Sequence, residues 1–169
     1  MRLHRHRHDP SKSLVGFFVG SVSYAVPIAC VREICRPLPT VPLPHAPPAV
    51  LGVAEYRGSV IVVIDMRVRF GLPALPATRK TKWVVISVEG VVAAIAVDAV
   101  TDVFGTAGAK LAAAPPPGAG GRGHIVGVTT HDDHMVFVID VGQLKEDVAP
   151  VATRSVNPSE ALMLQKGSS

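Results

Sequence analysis

The sequence predicts an all-β protein built from two small barrels that share a core and leave a groove between them. Two observations carry this expectation. Fifteen glycines and fifteen prolines punctuate short Val/Ile-rich segments, the punctuation of barrels and sandwiches rather than of helical proteins. One unit also occurs twice within the 169 residues. With 48% hydrophobic residues the chain is not disordered as a whole, and its length can bury a core without disulfide or metal staples.

Taken in order, residues 1–13 (MRLHRHRHDPSKS) read as a flexible basic tail holding +3 of the net +4 charge. The remaining body is nearly neutral, so the basicity does not point to a nucleic-acid-binding fold. The following LVGFFVGSVSYAVPIAC mimics a secretory leader ending at Cys30. Pro27 stands where a lipoprotein-type site needs a large aliphatic residue, and Ser21, Ser23 and Tyr24 interrupt the apolar run. The alternation of Phe18, Gly20, Val22, Tyr24 and Val26 suits a strand–turn–strand instead. The longest uninterrupted apolar run after it, Val91 to Val97, has seven residues, too few to span a bilayer. A cytoplasmic protein without direct membrane insertion is expected.

Strands are predicted at 14–20, 22–26, 40–43, 50–53, 60–64, 82–88, 91–97, around 104–105, and at 125–129 and 135–139. Ile28, Val31 and Ile34, spaced by three, predict a short helix. The Pro-rich stretch 37–48 is expected to be a rim loop, because proline donates no ladder hydrogen bond. Cys30 and Cys35 fit neither a CxxC pair nor a zinc framework and read as free thiols.

The repeat emerges when the halves are aligned. Ile28-x-x-Val31-x-Glu33-Ile34 is echoed by Val97-x-x-Val100-x-Asp102-Val103 at an offset of 69, and Gly52-Val53 with Ile64-Asp65 is echoed by Gly127-Val128 with Ile139-Asp140 at an offset of 75. An Ala/Pro/Gly insertion between Leu111 and Gly123 accounts for the difference. Units 14–78 and 79–145 follow, with 146–169 as a C-terminal tail. Each unit is near the lower size limit for an independent core, so the two are expected to share apolar surface. Where the copies agree, the residue serves the fold. Where they differ at an exposed position, function is a candidate: Arg57-Gly58 in the first copy faces Asp132-Asp133 in the second. A functional Glu33–Arg57 pair would then exist in the first copy alone, the alternative being an ordinary surface ion pair worth under ~1 kcal/mol.

The blocks Tyr24-Ala-Val-Pro-Ile28, Val31-Arg-Glu-Ile34, Val50-Leu-Gly-Val53, Arg57-Gly58-x-Val60 through Arg67, Phe70-Gly-Leu72 and Val97-Asp-x-Val100-x-Asp-Val103 resemble the CheW-like domain of bacterial chemotaxis coupling proteins. The resemblance runs from about Val15 to Leu144. It implies two packed five-stranded SH3-like barrels and a non-catalytic adaptor joining the cytoplasmic tip of a methyl-accepting chemoreceptor to the regulatory domain of a CheA-type histidine kinase. Carried onto this chain, the implied receptor-facing set is Val31, Glu33, Gly52, Arg57, Gly58 and Val60, arranged as a helix-in-groove site. The implied kinase-facing set is Asp65, Met66, Arg67 and Arg69. The chain departs from the family pattern at Glu55-Tyr56, where Asn-Leu usually precedes Arg-Gly. A relative that binds one of the two partners is the alternative.

Other chemistry is poorly served. The sequence has no phosphate loop, no G-x-S-x-G and no cysteine with a fitting base. His131-Asp-Asp-His134 is the one metal-like cluster, but a third ligand at suitable spacing is not evident, and it reads as a solvated hairpin turn. Neither a metal nor another cofactor is expected. Aromatics make up 5% of the chain and lie in apolar runs, so a stacking face for single-stranded nucleic acid is not expected. Phe17, Phe18 and Phe137 read as core residues, and Arg79–Lys82 as a solvated linker.

Overall fold

The computed structural model describes residues 12–106, 112–113 and 125–152. Residues 1–11, 107–111, 114–124 and 153–169, which include most of the inserted Ala/Pro/Gly segment, lie outside the described residues. Among the described residues, eleven strands form two sheets: β1 (Ser13–Val19), β2 (Val22–Pro27), β3 (Val31–Cys35), β4 (Val50–Tyr56), β5 (Ser59–Asp65), β6 (Lys82–Val88), β7 (Val91–Val97), β8 (Ala99–Gly105), β9 (Ala112–Ala113), β10 (Ile125–His131) and β11 (His134–Ile139). Helix α1 (Met66–Arg69) follows β5, and α2 (Val141–Ala152) follows β11. The architecture is that of two packed SH3-like barrels.

Each sheet mixes the two sequence copies. One sheet runs β8-β1-β2-β11-β10-β9, the other β3-β6-β7-β5-β4. The first two strands of each copy thus join the later strands of the other, through antiparallel β1–β8 and β3–β6 pairs and parallel β2–β11 and β5–β7 pairs. This corrects the expectation that residues 14–78 and 79–145 each form one barrel. The repeat is real in sequence, but its strands are exchanged, because each half buries its first hairpin against its partner.

Strand alternation sorts the apolar side chains into three clusters. On β5, β6 and β7, Val62, Ile64, Val84, Ile86, Ala93 and Ile95 point to a common core, while Ile61, Val63, Trp83, Val85, Ala94 and Ala96 point into a cluster confined to that sheet. The common core also takes Val15, Phe17, Val19 and Val26 from β1 and β2, and Ile139 from β11. The other sheet keeps its own cluster of Leu14, Ala25, Phe104, Val136 and Val138. Sharing of apolar surface between the halves therefore holds. Tyr24 reinforces it by stacking on Phe70, the cap of α1, with centroids 4.4 Å apart.

Four local expectations are corrected. Val31 to Cys35 is a strand rather than a helix, with only Ile28–Cys30 forming a 3-10 turn. The apolar spacing of three was shared between that turn and the two faces of β3. Phe18 is 39% exposed, since strand alternation that buries Phe17 turns Phe18 outward, and Phe137 is only half-buried. Residues 40–43 form no strand beyond a single bridge, Val41 to Val53. The C-terminal boundary at 145 falls inside α2, whose Val141, Leu144 and Val148 are all buried in the common core.

Candidate functional site

The β4–β5 hairpin ends in a two-residue turn with Arg57 at φ 48° and Gly58 at φ 79°. Both values are left-handed, the geometry that a tight hairpin turn with matching strand twist requires. Tyr56 and Ser59 are the last cross-strand pair before the turn. Across from them, β3 brings Glu33 to the same rim. A bulge between Val31 and Glu33 shifts the β3–β6 register, so Val31 packs at the common core while Cys35, beyond the bulge, packs against the cluster private to this sheet. A bulge here re-aims the side chains that follow it.

The result is a closed polar triad. The Tyr56 hydroxyl donates to Glu33 Oε2 at 2.5 Å, Arg57 Nε donates to the same oxygen at 3.0 Å, and an Arg57 terminal nitrogen lies 2.9 Å from it. The guanidinium carbon sits 5.6 Å from the Tyr56 ring centroid, within cation–π range. Hydrogen bonds from Tyr56 first and Arg57 second hold the Glu33 carboxyl below its usual pKa. The same carboxylate pushes the Tyr56 hydroxyl and the Arg57 guanidinium upward. The expected Glu33–Arg57 pair is present. Tyr56, which is not among the receptor-facing residues the resemblance implies, is its third member.

The triad borders an open groove lined by Arg32, Glu33, Tyr56, Arg57, Ser59, Ile61 and Val92. All of these belong to one sheet, so this groove lies on a single barrel and not between the two, as had been expected. Val60, 38% exposed, stands beside the turn, and Gly58 is exposed on it. Gly52 is different: it is buried at φ 147°, and a Cβ there would lie 2.1 Å from the Val41 carbonyl oxygen. It supports the hairpin from beneath and cannot itself touch a partner.

A family model described as "CheW-like domain" matches residues 13–149. The chain belongs to the CheW-like domain family. It is similar to "Chemotaxis protein CheW" of Rhizobium meliloti, 37% identical over 59% of this chain and 64% of that protein. It is also similar to "Chemotaxis protein CheW" of Helicobacter pylori, 28% identical over 79% of this chain and 81% of that one. The chain thus spans slightly less than two thirds of the length of the first relative. Among solved structures, the scaffolding protein TtCheW from Thermoanaerobacter tengcongensis superposes with a TM-score of 0.71 at 26% identity, covering 76% of this chain and 88% of that one.

The four residues implied for kinase contact in the CheW-like pattern do not form an open surface. Asp65 is buried and caps α1 by accepting from the Arg67 backbone N–H at 2.9 Å. Met66 is fully buried. Arg67 pairs with Asp98 at 2.7 Å and donates to the Pro73 carbonyl. Arg69 pairs with Asp147 of α2 at 2.7 Å, both side chains at most 13% exposed. These residues fasten α1 to the second copy. Their sequence signature, alternating charge after a strand, is the same for a clasp as for a contact surface, which is why burial was not legible. Cys30 and Cys35 are free and half-buried, and burial raises both thiol pKa values.

Proposed function

We propose that this chain is a non-catalytic chemotaxis adaptor that acts in the cytoplasm, binding the helical tip of a methyl-accepting chemoreceptor and the regulatory domain of a CheA-type histidine kinase. The observation that carries the reading is the preformed Glu33–Tyr56–Arg57 triad on the rim of an open groove. A helical hairpin laid in such a groove is recognised by apolar contact and oriented by fixed polar groups. Ile61 and Val92 supply apolar contact within the groove, half-buried Val31 and exposed Val60 add apolar surface outside its lining, Arg57 and Glu33 give the orientation, and Gly58 allows the close approach of backbone. Gly52 serves this site only by holding the hairpin.

The kinase is assigned to the same end of the sheet as α1, on exposed Leu51 and Leu75, which line a second groove with Arg67 and Trp83. Asp65, Met66, Arg67 and Arg69 act there as the support beneath. Among the described residues no helix is long and apolar enough to cross a membrane.

The test is a pull-down of purified protein with the receptor tip and with the kinase regulatory domain separately. The wild type retains both. Arg57→Ala and Val31→Asp lose the receptor and keep the kinase. Retention of neither partner by the wild type refutes the adaptor reading.

A further inference from the structure

The second copy carries, at the position equivalent to the triad, a different constellation. Asp102 takes the place of Glu33, His131 that of Tyr56, and Asp132 that of Arg57. The backbone is conserved in detail. Asp132 and Asp133 adopt φ 48° and 62°, and the β1–β8 register slips between Val100 and Val103 just as β3 slips before Glu33. His131 Nε2 lies 3.3 Å from Asp102 Oδ2 and 3.5 Å from Asp132 Oδ2. Phe104 stacks face to face on the imidazole, with centroids 3.9 Å apart and planes 9° apart, and so fixes the ring against the barrel.

One ring nitrogen carries at most one proton, so it cannot donate to both carboxylates. In the first copy a guanidinium neutralises the equivalent acid. In the second that cation is replaced by another carboxylate. The geometry points to a divalent transition-metal site at Asp102, His131 and Asp132, with an exogenous cation standing where the first copy places its arginine. The three ligand atoms all lie within 4.8 Å of one another. Two ligand atoms each about 2.1 Å from a tetrahedral ion are about 3.4 Å apart, which matches both histidine–carboxylate separations. A mixed imidazole and carboxylate set suits zinc and its neighbours. Asp102 is the ligand that sequence spacing did not supply, since it comes from a strand 29 residues away.

The test titrates Zn2+ into the full chain in competition with a chromophoric chelator. His4, His6 and His8 are replaced by Gln in the parent, so that the histidine-rich tail does not report. The parent binds one equivalent. Asp102→Asn and His131→Gln each weaken binding at least tenfold, whereas His45→Gln changes nothing. Asp132→Arg, which restores the charge pattern of the first copy at a φ that arginine already adopts there, abolishes binding and leaves the metal-free thermal midpoint in place. That variant keeps the test decisive if the others fold poorly. A parent that binds no Zn2+, or variants at Asp102, His131 and Asp132 that bind as tightly as the parent, would overturn the site.

Discussion

At the end of the β4–β5 hairpin, Arg57 and Gly58 turn the chain through left-handed conformations, and at the end of β10–β11, Asp132 and Asp133 do the same. Both hairpins also carry a bulge at their base, between Val50 and Gly52 in one and between Ile125 and Gly127 in the other. On these matching frames the first end places a guanidinium and a phenol on one carboxylate, and the second places two carboxylates on one imidazole. The frame is set by glycines, bulges and buried valines that both copies keep. The chemistry is set by two or three exposed side chains at the tip, which were free to diverge once the fold had been duplicated.

The comparison is broken most severely by unfastening the frame that both hairpins share. Asp147→Ala removes the carboxylate paired with the buried Arg69 guanidinium, and loss of one member of a buried pair costs about 3 kcal/mol. Urea unfolding should show this as a lower midpoint in a single transition, because the common core joins both sheets. Next in size is Gly52→Ala, whose Cβ meets the Val41 carbonyl. Overpacking of this kind costs about 2 kcal/mol. It should abolish receptor-tip binding at the first hairpin while leaving Zn2+ affinity at the second unchanged.

The smallest effect is electrostatic. Glu33 titrates below its ordinary value in the folded chain, so its pairing contributes stability above the unfolded pKa and loses it as pH falls through the depressed one. The difference in thermal midpoint between wild type and Glu33→Gln should be largest at neutral pH and close in acid. Tyr56→Phe removes the strongest hydrogen bond to that carboxylate and should move its pKa upward, as followed by NMR titration of the Glu33 carboxyl.

Much of this frame was legible in the sequence. Strands β6 and β7 lie where Val/Ile/Ala runs ended at charged or glycine residues, and the offset of 75 residues located both hairpins. The exchange of strands between sheets was not legible, because β2–β11 and β5–β7 pairing joins distant segments and leaves no mark on local periodicity. The short helix read at Ile28 to Ile34 failed for a related reason: the bulge before Glu33 breaks the alternation of β3. Tyr56 was missed although the repeat held the signal, since the same offset sets it opposite His131, another ring with a polar edge next to the turn. Val141, Leu144 and Val148 had helical spacing, but a boundary drawn at the end of the repeat cut through α2.

Receptor binding at the tip of the first hairpin, and not at that of the second, is measured by calorimetry of a purified chemoreceptor tip with wild type, Arg57→Ala and Asp132→Ala. Arg57→Ala should lose at least tenfold in affinity, as for an orienting charge at the centre of an interface, and Asp132→Ala should bind as the wild type does. Undiminished binding by Arg57→Ala, or an equal loss in both variants, would contradict binding at the first tip alone.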